Sequence, residues 1–250
     1  MYLINSFTWS QAFDASSADL EANNGDGAIV NIANIAGDRG PSGYNQPLND
    51  TTSFIADLPF GEGRRWGTGA PKWEQQVIGG WQLTGINSVT SGVPLDLNYT
   101  ANANQVVTTA SSAYSLRPNL VSTASAVYGH SLTKTNSAVN GYLNITAVSA
   151  PAGSQLFGNA SRNDLRGPAF GQFDLSAHKK FPLFTESQSL EFRIEAFNVL
   201  NATNYIGPNT NIGTLGATGV LSPNGSFGTF SGSTSVFASR QVQLALRLAF

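Results

Sequence analysis

The last fifteen residues, Val236 to Phe250, read VFASRQVQLALRLAF and constrain the fold more than any other stretch. Val242, Leu244, Leu246, Leu248 and Phe250 fall on one side of a period of two, and Gln241, Gln243, Ala245, Arg247 and Ala249 on the other. A helix, with its period of 3.6, would scatter the five apolar residues around its circumference. The segment is therefore a strand with one apolar face, and the chain ends on that face at an aromatic ring. Two environments suit it. One is the closing strand of a membrane barrel, with the terminal ring in the interfacial belt, and the other is a half-buried strand of a soluble sheet.

Composition narrows the partners. Charged residues make up 11% of the 250-residue chain, well below the roughly 25% of an ordinary soluble protein. The net charge of −2 and the absence of any run of Lys or Arg exclude nucleic acid as a partner. Gly (26), Phe (15), Tyr (7) and Trp (4) point to aromatic strands separated by polar loops. With no Cys, neither a disulfide nor a thiolate metal site can form. No window approaches 18 consecutive apolar residues, so no transmembrane helix is expected, but a barrel strand needs only about 9 to 11 alternating residues. Met1 to Asn5 lacks the basic and apolar regions of a signal peptide, which predicts that the chain is not a complete precursor.

Six strands are predicted, over residues 1–13, 51–60, 79–98, 170–181, 189–199 and 236–250. Residues 189–199 also admit a helix, since Leu190, Ile194 and Phe197 are spaced i, i+4, i+7. Unbroken alternation just after a short turn favours the strand. The connections run long (14–49, with a helical turn near Ser17 to Ala22), shorter (61–78), long (99–169), short (182–188) and long (200–235). Outer-membrane barrels show this asymmetry, with long loops outside and short turns in the periplasm. Phe250 then lies at the periplasmic rim. The expected fold is all-β, an antiparallel transmembrane β-barrel segment of about six strands with long external loops.

The stretches LINSFTWSQAFD (Leu3 to Asp14), ADLPFGEGRRW (Ala56 to Trp66), GGWQLTGINSVTSGVPL (Gly79 to Leu95), RNDLRGPAFGQFDLSAHKKFPL (Arg162 to Leu183), LEFRIEAFNVLNATNY (Leu190 to Tyr205) and SRQVQLALRLAF (Ser239 to Phe250) resemble the carboxy-terminal part of the barrel of TonB-dependent outer-membrane receptors of the Oar-like group. The resemblance covers all six strands in family order. It implies a bacterial outer-membrane location, a receptor or transport role, no cofactor, and a parent barrel of about 22 strands enclosing a plug. This chain is then too short to be a complete receptor barrel. The implied partners are outer-membrane lipid, a missing N-terminal barrel and plug, and TonB only through the missing N-terminal region. The resemblance also implies recognition by the barrel-assembly machinery of a last strand ending in an aromatic residue, which makes Val242, Leu244, Leu246, Leu248 and Phe250 the assembly residues.

The parity of the strands assigns Asp174, His178, Lys180, Glu191, Arg193, Glu195, Gln243 and Arg247 to the lumen as a charged inner wall, hydrogen-bonded within itself, to water or to a plug. Asp174, His178 and Lys180 imitate an acid/base cluster, but a solvated barrel interior explains them without catalysis. Neither His130 nor His178 sits in a nucleophile motif, and they are 48 residues apart with no paired metal-ligand pattern. Asn23 to Gly27 lacks the spacing and closing Glu of a calcium loop. Arg166, Gly167 and Pro168 end the long loop and start a strand. No enzyme activity is expected, the competing reading being an outer-membrane hydrolase. The competing fold is a secreted β-sandwich or adhesin-like binding module, which would bury Phe192, Leu244, Leu246 and Leu248 under a second sheet.

Overall fold

The structure is a computed structural model that describes residues 1–17, 32–101, 116–123, 127–129, 141–152, 155, 157–183, 188–230 and 239–250. Alternating apolar and polar residues form six long strands, β1 (Tyr2–Trp9), β2 (Leu48–Asp57), β3 (Trp81–Thr90), β4 (Phe170–Pro182), β5 (Ser189–Phe197) and β6 (Gln241–Ala249). They make one sheet in chain order, and every neighbouring pair is antiparallel. The helical alternative for 189–199 is excluded. Among the described residues the sheet is open, because β1 and β6 each have a single neighbour.

Register fixes the slant of this sheet. Tyr2, Ile55, Thr84, Ser176, Glu195 and Gln243 form one row of cross-strand partners. At the cap end, Leu3 stands six residues before the end of β1 at Trp9, whereas its row reaches Val242, one residue after the start of β6 at Gln241. A climb of five residues over five strand spacings corresponds to a tilt of about 35–40°, within the range of transmembrane barrels.

Several strand ends differ from the sequence expectation, among them those of β5, which stops at Phe197 short of Val199, and of β6, which begins at Gln241 with Ser239 and Arg240 outside it. The alternation of the first segment runs to Phe13, but β1 stops at Trp9, and Phe13–Asp14 forms a separate short strand against Gly40–Pro41. β2 spans Leu48–Asp57, earlier than 51–60, because Leu48 and Asn49 pair with β1 and Asn49 with β3. β3 ends at Thr90, short of Asn98, because the chain leaves the sheet at Gly92. A Cβ there would lie 1.9 Å from the Gly167 carbonyl oxygen, so only glycine permits this crossing. The connection 61–78 also carries an element that its sequence pattern hid, the helix α1 (Lys72–Ile78).

All three long connections leave from one end of the sheet, and their described residues pack into a cap. Asn98–Thr100, from the connection after β3, pairs in parallel with Asn211–Leu215 from the connection after β5. The buried apolar core lies here and not in the sheet. It includes Leu95, Tyr99, Val127, Leu143, Leu165, Ile212, Leu215 and Phe230. The connection between β1 and β2 is tied on by ion pairs. Arg117 meets Asp38 at 2.6 Å and Asp96 at 3.3 Å, all three side chains being buried. Arg162 pairs with Asp14 and donates to the Ser17 hydroxyl. Arg166, at the start of the return to β4, donates to the Asn45 and Gly92 carbonyls. The helical turn expected near Ser17 to Ala22 lies, beyond Ser17, outside the described residues.

Candidate membrane interface and inner wall

Register carries one parity across the whole sheet. Leu3, Phe54, Gly85, Leu175, Ala196 and Val242 form one row of the outer face, and Trp81, Lys179, Phe192 and Leu246 form another nearer the short turns. Leu244, Leu246 and Leu248 are 57–69% exposed, and Phe250, just past β6, is 94% exposed. No second sheet covers them among the described residues, so nothing there supports the sandwich expectation. Aromatic rings collect at two levels. Phe7 and Trp9 stand at the cap end, while Trp81, Phe181, Phe192 and Phe250 stand at the turn end. Between them the rows of β4 to β6 carry Leu, Ile, Val and Ala, the order expected of a lipid-facing band flanked by aromatic girdles.

Polar residues interrupt this face at Asn5, Asp50, Thr52 and Asn87 on β1 to β3 and at Lys179 on β4, and two of these features are internally hydrogen-bonded. The Asn5 amide donates to Asp50 Oδ1 and to Thr52 Oγ1, each at 2.7 Å. Lys179 shares the parity of Phe181 and Leu175 but is only 4% exposed. Its Nζ donates to the Gln76 carbonyl and, at 3.3 Å, to the Val77 carbonyl at the end of α1. It also lies 4.9 Å from the Phe181 ring centroid and 6.0 Å from that of Trp81. Sequence reasoning passed over Lys179, although a cation on the apolar parity of a strand was the available signal.

The opposite face gathers the residues that parity assigned to the lumen. Lys180, Glu191 and Arg247 share one row, His178 and Arg193 the next, and Ser176, Glu195 and Gln243 the one after. Arg193 bridges its strand neighbours, reaching Glu191 at 2.8 Å and Glu195 at 3.4 Å, and Gln243 donates to the second oxygen of Glu195. Glu191, Arg193, Glu195, Ala245 and Arg247 line a shallow hollow of about 180 Å³. Asp174 stands apart from His178 and Lys180. It accepts from the Gln172 amide and, at 2.8 Å, from the backbone N–H of Asn198, a residue with φ of 50° in the turn after β5. Asp174 thereby holds a chain reversal, a role that local spacing did not reveal.

In the cap, partial burial pushes the Asp14 carboxyl upward, but the Ser42 and Ser17 hydroxyls and the Arg162 guanidinium outweigh it and hold it below the usual carboxylate value. Burial, with a smaller effect from Tyr128, pushes the Tyr142 phenol up to about 12, so it remains a neutral donor to the Arg166 carbonyl at 3.2 Å. No group of His, Asp or Glu among the described residues could hold a metal ion. His130 and Asn23 to Gly27 lie outside the described residues.

A protein-family model described as an outer membrane beta barrel domain matches residues 1–243. Comparison with curated proteins and with solved structures gave no match.

Proposed function

Because this chain belongs to the outer membrane beta barrel domain family and is a bacterial outer-membrane protein, we propose that its sheet is a sector of the wall of a TonB-dependent, Oar-like receptor or transporter. In this reading the wall segment is non-catalytic. Outer-membrane lipid bathes the face of Leu244, Leu246 and Leu248, and the charged face of Lys180, Glu191, Arg193 and Arg247 looks into a lumen completed by an N-terminal barrel and plug. TonB acts on that N-terminal region, and the barrel-assembly machinery engages β6 through Phe250. The observation that carries the reading is the combination, in one sheet, of a tilt of about 35–40°, an apolar outer face, a charged inner face, and every long connection at one end. The open edges of β1 and β6 support completion by further strands.

The test is gel mobility before and after boiling of the outer-membrane fraction, with the chain alone and with it joined to the N-terminal strands and plug of an Oar-like receptor. The joined protein should be heat-modifiable, and the chain alone should not. A closed, heat-modifiable monomer formed by this chain alone would refute the reading. So would ester or peptide hydrolysis abolished by His178→Ala.

A further inference from the structure

The turn between β2 and β3 contains more than a reversal of the chain needs. Residues 58–80 fold back so that the end of α1 lies over the outer face, where Lys179 caps its carbonyls and the Trp81 indole N–H donates to the Val77 carbonyl at 2.9 Å. A cation at this end also complements the negative pole of the helix. The inner side of α1 is engaged. Gln75 donates back to the Gly67 and Ala70 carbonyls, and a Cβ on Gly67 would meet Ile78. The outer side is free, with Trp73 68% and Val77 61% exposed, and their i, i+4 spacing puts both on one face. Phe60 and Trp66 stack nearby at 5.4 Å and are also exposed. Arg64, Arg65 and Lys72 are exposed and form no ion pair among the described residues.

We infer that this turn is a membrane-surface anchor, with α1 lying in the headgroup layer of the periplasmic leaflet. Trp73 and Val77 enter the acyl boundary, and Arg64, Arg65 and Lys72 meet lipid phosphates. The occupant is lipid because the free face of α1 continues the outer face of the wall, joined to it through Lys179 at the level of Trp81, Phe181 and Phe192. A short amphipathic helix with aromatic residues on one side and cations beside them suits that interface. Two carboxylates, Glu62 and Glu74, leave the segment from Phe60 to Ile78 with one net positive charge. The inference rests on the lipid-facing assignment of the wall.

The chain has no Cys, so single labels are unique. Nitroxides at Val77→Cys, Glu62→Cys and Leu246→Cys, in the full chain joined to Cys-free N-terminal strands and plug of an Oar-like receptor and reconstituted into phosphatidylethanolamine–phosphatidylglycerol vesicles, would be compared for collision with oxygen and with a water-soluble nickel chelate. The expected result is an oxygen-to-nickel ratio several-fold higher at position 77 than at 62, approaching that at 246. Adding Lys179→Met should return position 77 toward the value at 62 while leaving 246 unchanged. Water access at 77 with lipid access at 246 overturns the anchor alone. Water access at both overturns the lipid-facing assignment as well. An unchanged position 77 in the Lys179→Met protein overturns the tethering role of Lys179.

Discussion

Replacing Arg117 by Met tests whether the connection after β1 and the connection after β3 are fastened into one folded unit. The Arg117 side chain is 8% exposed, and the two carboxylates it joins, Asp38 and Asp96, are each 2% exposed. Asp38 comes from the connection between β1 and β2, and Arg117 with Asp96 from that between β3 and β4. Removing the guanidinium leaves two buried carboxylates without their shared countercharge, and breaking a buried pair in this way costs about 3–5 kcal/mol. Methionine occupies much of the arginine stem, so little of this loss is packing. At the lower bound, the opened cap becomes more populated by roughly a hundredfold. Native-state proteolysis reads that population directly, with cleavage expected in the cap and the wall strands spared. Adding Asp38→Asn and Asp96→Asn should recover part of the loss, because neutral amides need no countercharge. A change below about 1 kcal/mol for Arg117→Met, the range of exposed ion pairs, would refute the claim that this buried triad fastens the loops.

Leu244→Arg, on the outer face near the middle of β6, should destabilise the membrane-inserted wall by about 2–4 kcal/mol, whereas Ala245→Ser on the inner face should be nearly silent, both read by denaturant titration in vesicles. Deleting Phe250 should lower the outer-membrane yield of the joined receptor, with Phe250→Tyr near wild type, since either ring suits the interface; equal yields would remove Phe250 from assembly. The carboxyl of Asp14 is held below its ordinary value of 3.8, so its contribution to the cap is present above that value and is lost as pH falls through the lower, folded-state value. Asp14→Asn should therefore weaken the cap at neutral pH and flatten its loss of stability in acid, measured by proteolysis across pH. Gly92→Ala should disturb the cap base without altering lipid access at Leu246, because its Cβ would lie 1.9 Å from the Gly167 oxygen.

The wall was legible because a strand with one face in lipid and one in water must alternate, and the alternation survives in a single sequence. Its ends were less legible. Phe13 keeps the parity of Phe7 and Trp9, yet β1 stops at Trp9 because the chain turns toward the cap, with the Ser10 N–H bonded to the Pro47 carbonyl. The helix α1 escaped notice since seven residues give too little periodicity to rise above their Gly- and Pro-rich surroundings. The cap escaped for a different reason. Its core draws Leu95, Tyr99, Leu143, Ile212 and Phe230 from distant stretches of Ala, Ser, Thr and Asn, so no local window contains its pattern. Parity grouped the charged inner-wall residues, but it could not reveal that Asp174 is spent on the turn at Asn198.

The two open edges limit how the barrel can be completed. In lipid, each unpaired backbone donor or acceptor along β1 and β6 costs several kcal/mol, so both edges must find partners. They cannot satisfy one another within this sheet. At the observed slant each strand occupies about 6 Å of circumference, and six strands would close at a backbone diameter of about 12 Å. Eight strands already give an interior barely wide enough for side chains, and the inner face here carries the long side chains of Lys180, Glu191, Arg193 and Arg247. Strand direction supplies the second constraint. β1 runs toward the cap and β6 runs away from it, so these edges are already antiparallel to one another. An even number of added antiparallel strands therefore fits between β6 and β1, whether from the same polypeptide or from another copy of this sheet, while an odd number would force one parallel pair into the wall.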